Sequence, residues 1–129
     1  MTENEISKAI VDGAIEAHRL LGGPGLLEGV YEEALAWELT ARGLFVERQQ
    51  EVPIRYKGHT LGYPLKFDLR VNGLVFIECK ATTEYNAIFE VQLLTYLRLL
   101  DLRLGLVINF GEKLVKDGIH RVVNRFVEQ

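Results

Sequence analysis

The order of its periodic segments predicts an α/β fold for this chain: a mixed sheet flanked by helices, in one domain over residues 1–129. Two segments with helical spacing of apolar residues come first, and segments of alternating polarity follow. A third helical segment then precedes an almost wholly apolar strand. A chain of 129 residues can bury one sizeable core, and no repeat or linker divides it. The predicted order is helix, helix, three or four strands, helix and strand.

Three helices are predicted from apolar residues that recur every three or four positions. The first covers "ENEISKAIVDGAIEAHRLLG" at 3–22, and the second covers "LLEGVYEEALAWELTARG" at 26–43. Glycines close both segments, as is common at helix ends. The third covers "NAIFEVQLLTYLRLLD" at 86–101.

The strands are predicted from alternation and from turn residues. "LFVERQQEVPIRYKG" at 44–58 indicates two short strands that meet near Pro53, and "LKFDLRVNGLVFIECK" at 65–80 indicates two more, joined at Asn72 and Gly73. "RLGLVINFG" at 103–111 is apolar enough for a central strand, and "KDGIHRVVNRF" at 116–126 is a last strand or an irregular tail. The strand, helix, strand unit from 74 to 109 should make its two strands parallel.

Composition and charge exclude several classes of protein. The apolar runs are too short to span a bilayer, and the acidic start "MTENEISK" lacks the apolar segment of a signal peptide. A cytoplasmic protein without a membrane partner is therefore expected, and the single cysteine, Cys79, cannot form an internal disulfide. The net charge of −3 disfavours binding of nucleic acid by bulk charge alone, although residues 44–129 carry +2 and can offer a basic face.

Charged residues end the apolar run "LVFIECK" at 74–80. The run suggests a strand covered on both sides, where unpaired charge is costly. Glu78 and Lys80 are two residues apart, so their side chains share one face of the strand, and Cys79 points to the other face. The cost of placing charges here suggests that these residues have a function.

The length of the hairpin loop decides whether Asp68 shares the face of Glu78. A two-residue turn at Asn72 and Gly73 would put the two carboxylates on opposite faces. A three-residue loop over 71–73, with Gly73 in the left-handed conformation, makes Asp68 a diagonal neighbour of Glu78 on the same face. The pairs predicted by this loop are Arg70 with Leu74 and Lys66 with Glu78.

Two carboxylates on one face repel each other unless a cation lies between them. Mg²⁺ binds one or two carboxylates, a carbonyl and waters, so Asp68, Glu78 and the backbone carbonyl of Cys79 are candidate ligands. Lys80 could then orient a metal-bound water or stabilise charge on an attacked phosphate, which describes hydrolysis of a phosphodiester. The alternative is an ion pair at the rim of the sheet, which contributes little.

A family resemblance covers nearly the whole chain, from "AHRLLGGPGLLE" to "DGIHRVV". The stretch "GPGLLEGVYEEALAWEL" holds Gly25, Glu28 and Tyr31 at the spacing for which the small bacterial GxxExxY family is named, and "VINFG" at 107–111 resembles another of its motifs. That family is grouped with the PD-(D/E)XK nuclease superfamily. The resemblance implies a restriction-endonuclease-like αβββαβ core with an additional N-terminal helix.

The resemblance also implies a metal site. Asp68, Glu78 and Lys80 match the D and ExK positions of the superfamily. Glu28 matches the acidic residue that reaches the metal, directly or through water, from the first core helix. The alternative for Glu28 is a solvated acid at a helix start, where the helix dipole favours negative charge.

The third helix carries a further match. Gln92 and Tyr96 fit the QxxxY motif, in which the glutamine lies near the metal site and the tyrosine near the substrate. Residues four apart share one face of a helix, so both can point at the sheet edge. For Tyr96 and Tyr31 the alternative is core packing, which is the favoured interpretation of Tyr31.

The sequence as a whole predicts a nuclease that uses Mg²⁺ or Mn²⁺ to cleave nucleic acid, with DNA ahead of RNA. Three histidines, His18, His59 and His120, share no metal-ligand spacing. Lys66 is a predicted substrate contact, one of six basic residues that could meet phosphates. The six are Arg48, Arg55, Lys57, Lys66, Arg98 and Arg103.

Two rival interpretations stay open. A non-catalytic module that binds nucleic acid or protein is favoured slightly by the acidic composition. A homodimer, or a subunit of a larger assembly, is suggested by the small size and the apolar content.

Overall fold

The computed structural model describes residues 1–125 and has an α/β architecture of three helices and a mixed sheet. Helix α1 is Glu3–Leu20, α2 is Glu28–Ala41 and α3 is Ile88–Leu100, so the three predicted helices are confirmed. Within residues 1–125, no helix has both the length and the apolar character needed to cross a bilayer.

Local chemistry explains where α1 begins and ends. Thr2 and Glu5 form a capping box, in which each side chain accepts a hydrogen bond from the other residue's backbone N–H. Gly22 follows the helix with φ of +92°, a left-handed conformation that glycine adopts without strain. Within α1, Gly13 lets α2 come close, since a Cβ there would lie 3.0 Å from the Leu39 side chain.

In the part of the chain that the structure describes, nine strands follow the first two helices, and five of them form the main sheet. They are β1 (Val46–Arg48), β2 (Glu51–Val52), β3 (Arg55–Tyr56), β4 (His59–Thr60), β5 (Leu65–Lys66), β6 (Leu69–Val71), β7 (Val75–Lys80), β8 (Leu104–Asn109) and β9 (Ile119–Val123). The order in the main sheet is β1-β6-β7-β8-β9. Strands β7 and β8 are parallel and are joined through α3, as predicted, and the other neighbours are antiparallel.

The sheet separates two apolar cores. One core lies between the sheet and α1 with α2, and it includes Ile10, Leu35 and Ile77. The other lies between the sheet and α3, and it includes Phe76 and Leu97. Strand β8 is buried at all six positions because both cores cover it, which explains its apolar sequence.

The region 44–66 differs from the prediction of two strands meeting near Pro53. It forms β1 at the edge of the main sheet, β2 paired with β5, and a separate β3–β4 hairpin. Proline has no N–H to donate to a sheet, and Gln49 adopts a positive φ of 49°, so the chain changes direction at both places. The result is a small insertion between β1 and β6.

The last predicted segment is a strand where the structure describes it. Strand β9 pairs with β8 and follows a short 3-10 helix, Val115–Gly118. The end of that segment, Phe126, lies outside the described residues. The prediction of one domain over 1–129 stays a prediction.

Candidate active site

Asp68 and Glu78 come together across the β6–β7 hairpin. The β6–β7 pairing ends with Leu69 opposite Ile77, and Asp68 lies at a bend directly before β6. The Asp68 carboxylate accepts a hydrogen bond of 2.9 Å from the Cys79 N–H, and the Asp68 N–H donates one of 3.4 Å to Glu78 Oε1. The two acids are therefore direct neighbours at the end of β7.

The register of this hairpin corrects the predicted one. Arg70 faces Phe76 instead of Leu74, because the loop spans 72–74 instead of 71–73. Both loops contain three residues, so the predicted loop length is correct although every pair shifts. Asn72 and Gly73 both have positive φ, of 51° and 68°, which turns the chain here.

Lys66 does not face Glu78, contrary to the prediction. It lies on β5, where it is opposite Glu51 in the two-stranded β2–β5 sheet. The chain leaves β5 before β6 begins, so the hairpin ladder does not extend from β6 to Lys66. Its side chain is exposed in the insertion.

Glu78 carries an unfavourable charge in this arrangement. Loss of hydration raises the pKa of Glu78 to about 8, and repulsion from the Asp68 carboxylate adds to the shift. Lys80 opposes the shift but is the smaller influence on this pKa. Glu78 therefore needs either a proton or an additional cation at neutral pH.

Lys80 shares the face of Glu78 and rests on an aromatic support. Its Nζ lies 4.5 Å from the ring centroid of Phe89, a cation–π contact. Phe89 meets the ring of Tyr85 edge-on at 5.5 Å, and Tyr85 stacks on His120 at 4.1 Å. The ammonium group is thus held beside the acids by rings from α3, the preceding loop and β9.

Glu28 is the first residue of α2 and reaches toward the same acids. Partial loss of hydration raises the pKa of Glu28, the Asp68 charge raises it further, and Lys80 lowers it. Glu28 is an exposed residue. The helix start thus brings a third carboxylate to the end of the hairpin.

Tyr31 fixes the loop that leads into Glu28. Its hydroxyl donates to the Gly23 carbonyl at 2.7 Å and accepts from the Leu26 N–H at 3.0 Å. The ring is fully buried and stacks on Phe110 at 4.8 Å between centroids. Core packing, the favoured interpretation of Tyr31, is confirmed. The glycine–glutamate–tyrosine spacing is also explained, because Tyr31 holds the loop that leads to Glu28.

Comparison with known protein families identifies the superfamily of this chain. A model of the PD-(D/E)XK nuclease superfamily matches residues 4–122. The chain belongs to this superfamily. No curated protein and no solved structure matches the sequence.

Membership of the PD-(D/E)XK superfamily explains the order of the elements. The sequence α2, β1, β6, β7, α3, β8 is the αβββαβ core of a restriction-endonuclease-like fold, and α1 is the additional N-terminal helix. The superfamily supports a nuclease-like function in general, a nucleic acid as substrate, and the use of divalent metal ions.

A hydrogen-bond network beside Asp68, built on the buried Glu32, was missed by sequence reasoning. Glu32 is 4% exposed and accepts hydrogen bonds from Gln49 Nε2 at 2.6 Å and from Arg48 Nη2 at 3.2 Å. Gln49 Nε2 also lies 3.2 Å from Asp68 Oδ1. Glu32 follows Glu28 by four residues on one helix face, a signal that could have found it. Gln49 carried no such signal.

Helix α3 brings Tyr96 near the acids. Burial raises the pKa of Tyr96, and the charges of Glu78 and Asp68 raise it further. Gln92 is exposed one turn earlier on the helix. The roles of both residues stay predictions.

The donors at this site fit a hard cation. They are carboxylate oxygens from Glu78 on β7, from Asp68 directly before β6 and from Glu28 on α2, together with the Cys79 carbonyl, whereas the Cys79 thiol is buried on the opposite face. Among residues 1–125, no three His, Cys, Asp or Glu side chains already surround one point as a complete metal group. Mg²⁺ does not need one, because it keeps several waters and takes one or two carboxylates.

The three histidines occupy other places. His18 is buried and its Nε2 lies 3.1 Å from the Phe110 carbonyl oxygen. His59 is exposed on β4, and His120 packs on Tyr85 as described.

Proposed function

We propose that the chain is a metal-dependent nuclease of the GxxExxY group that hydrolyses phosphodiester bonds, of DNA ahead of RNA. The observation that carries the proposal is the meeting of Asp68 and Glu78 at the end of β7, with Lys80 on the same face. Gly25, Glu28 and Tyr31 support the group, since they form one loop-and-helix unit that directs a carboxylate at this place.

Each residue has a role in the proposed reaction. Asp68, Glu78 and the Cys79 carbonyl hold Mg²⁺ or Mn²⁺, and Glu28 assists directly or through a water. An ion bound there supplies a water of lowered pKa and positive charge near the phosphate. Lys80 positions the attacking water or stabilises the negative charge that develops on the phosphate oxygens.

The remaining predicted residues act on the substrate side. Gln92 supports the site from α3, and Tyr96 contacts the substrate. Lys66 offers a positive charge to phosphates from the exposed β2–β5 insertion. Residues 44–129 carry a net charge of +2, which agrees with a substrate that has negatively charged phosphates.

A cleavage assay with linear, circular, single-stranded and branched nucleic acids tests the proposal. The wild-type protein should cut at least one of them with Mg²⁺ or Mn²⁺ and stop when EDTA is added. Asp68→Ala and Lys80→Ala should abolish cleavage while circular dichroism shows the fold unchanged. Glu33→Ala is the control, because Glu33 is an exposed acid on α2. Equal activity in Asp68→Ala would refute the assignment.

The second candidate is a module that binds nucleic acid or protein without cutting. The net charge of −3 favours it, because small nucleases need a basic surface or a partner to hold their substrate. Titration calorimetry with Mn²⁺ separates the two candidates. A nuclease binds the ion through Asp68 and Glu78, whereas a pure binder has no need of it.

Assembly and location are further parts of the proposal. Exposed apolar side chains are available for the interface of a homodimer, since Trp37 is 71% exposed and Leu20 is 65% exposed. Light scattering in solution decides this point. A cytoplasmic location agrees with the free, buried thiol of Cys79.

A further inference from the structure

A cavity of about 390 Å³ lies beside the proposed active site. Residues 24–26 form one wall, residues 81–83 form another, and Gly111 also lines the cavity, which opens to solvent. The first wall ends two residues before Glu28, and the second begins directly after Lys80. The cavity therefore borders the place where a phosphate would meet Lys80.

The wall at 81–83 is held rigidly by Asn109. Its side-chain oxygen accepts hydrogen bonds of 3.0 Å from the N–H groups of Thr82 and Gly111, and its amide donates one of 3.0 Å to the Thr82 carbonyl. Asn109 is 1% exposed. A Cβ at Gly111 would collide with the Thr82 carbonyl oxygen, so only glycine allows this close contact. The "VINFG" motif thus builds one wall of the cavity.

The wall at 24–26 is held just as firmly from the other side. The Tyr31 hydroxyl bonds the backbone of Gly23, directly before this wall, and that of Leu26, its last residue. Gly25, with φ of +117°, makes the bend between them and adds no side chain to the space. The cavity is therefore formed before any ligand arrives, as small-molecule sites usually are.

The chemistry of the lining selects the kind of ligand. Of the seven lining residues none is charged, so the cavity suits a neutral group and leaves a phosphate to Lys80. Pro24 and Leu26 offer apolar surface on which the face of a base can lie. Thr83 is exposed and brings a hydroxyl to the rim. Small-molecule sites occupy about 300–1,000 Å³, and this cavity lies at the low end, suited to one base with its sugar.

We infer that this cavity receives the base and sugar of one unpaired nucleotide next to the phosphate that is cut. The inference rests on the proposed nuclease function and names its substrate class: single-stranded nucleic acid, or an end or flap where one base is free. A base inside a cleft between two loops cannot remain paired with its complement. Intact duplex is therefore the poorer substrate.

The first experiment compares rates on three substrates with Mn²⁺. They are a single-stranded oligonucleotide, its duplex, and bis(p-nitrophenyl) phosphate, a diester without base or sugar. The wild type should cut the single strand about tenfold faster than the duplex, because about this factor is expected from the stacking of one base on the protein. Thr83→Trp fills the cavity, and it should lower the rate on the single strand relative to the aryl diester by about tenfold.

Thr60→Trp is the matched control, because Thr60 is exposed on the β3–β4 hairpin outside the cavity. It should keep the wild-type ratio of rates. Equal rates on single strand and duplex, or an unchanged ratio in Thr83→Trp, would overturn the inference while leaving the nuclease function intact. If no substrate is cut, the proposed function fails instead.

The second experiment detects the base without cleavage. A single strand with 2-aminopurine at successive positions is titrated with protein in Ca²⁺. One position should show a fluorescence change with the wild type and with Thr60→Trp, and none with Thr83→Trp. A change that is equal in all three proteins, or absent in all, would overturn the cavity as a nucleotide site even where no cleavage is measured.

Discussion

Glu32 and Glu78 are both covered by protein, but they differ in what compensates their charge. Glu32 accepts hydrogen bonds from Gln49 and from Arg48, at 2.6 and 3.2 Å. Glu78 accepts a long bond of 3.4 Å from the Asp68 N–H and faces the Asp68 carboxylate. Loss of hydration is the largest cause of a raised pKa in both acids. The chain supplies donors for Glu32, whereas Glu78 is left for a proton or a metal ion.

The largest effect is expected for Glu78→Gln, which tests whether Glu78, and not Glu32, is the acid that binds the metal ion. Glu78→Gln keeps the size of the side chain and removes the charge. It should lower Mn²⁺ affinity and cleavage by more than about a hundredfold, because groups that only support a ligand already account for about 10–100-fold. Calorimetry and the cleavage assay measure both. Glu33→Gln should behave as the wild type, and unchanged Mn²⁺ affinity in Glu78→Gln would contradict the comparison.

The stability of the metal-free protein should depend on pH through Glu78. Its pKa rises from 4.5 to about 8 on folding, so the folded state binds the proton more tightly than the unfolded chain. The contribution of this group is full below pH 4.5 and is lost as pH rises through about 8. Thermal melts with EDTA should therefore show the wild type losing several degrees relative to Glu78→Gln between pH 5 and pH 9.

The same melts with Mg²⁺ test whether a metal ion can replace the proton on Glu78. The ion replaces the proton, so it should restore the wild type at high pH and leave Glu78→Gln unchanged. Parallel melting curves for the two proteins at all pH values would show that Glu78 does not titrate as described.

A smaller effect is expected when the compensated acid is removed. Glu32→Ala removes one of the two partners of the Gln49 side chain and loosens the other, Asp68, which Gln49 contacts at 3.2 Å. Activity should fall about tenfold, as for other groups that orient a ligand. Stability should fall by about 1 kcal/mol, because Arg48 is 43% exposed and its ion pair is screened by water.

The control for Glu32→Ala is Glu38→Ala on the same helix. Glu38 also bonds an arginine, Arg42, at 2.9 Å, but it lies outside the site. Its loss should change stability by about 0.5 kcal/mol or less and leave cleavage unaltered. Equal loss of activity in both variants would remove the distinction between the two ion pairs.

The smallest effect concerns the loop before Glu28. Tyr31→Phe keeps the buried ring but removes the hydroxyl that bonds Gly23 and Leu26. The expected loss is about 1 kcal/mol in stability, with a few-fold fall in activity as Glu28 becomes less well positioned. Chemical denaturation and the cleavage assay measure these values. Tyr56→Phe, at an exposed position, should change neither.

The hairpin shows why the face of a residue is easier to predict than its partner. The loop lies one residue further along than predicted, and Arg70 meets Phe76 instead of Leu74. Side chains alternate between faces, so any loop with an odd number of residues puts Asp68 with Glu78. The face depends on that parity alone, whereas each pair depends on the position of the turn.

Local periodicity and neighbouring residues in the chain were enough to predict the helices, the apolar strand β8 and the charges that end β7. Contacts between distant segments were needed to place the β2–β5 insertion, to put Lys66 away from Glu78, and to bring Gln49 to both Glu32 and Asp68. The two contacts of Gln49 join residues that lie 17 and 19 positions apart in the chain, and no periodic pattern encodes such distances. Packing of the two cores against the sheet brings them together.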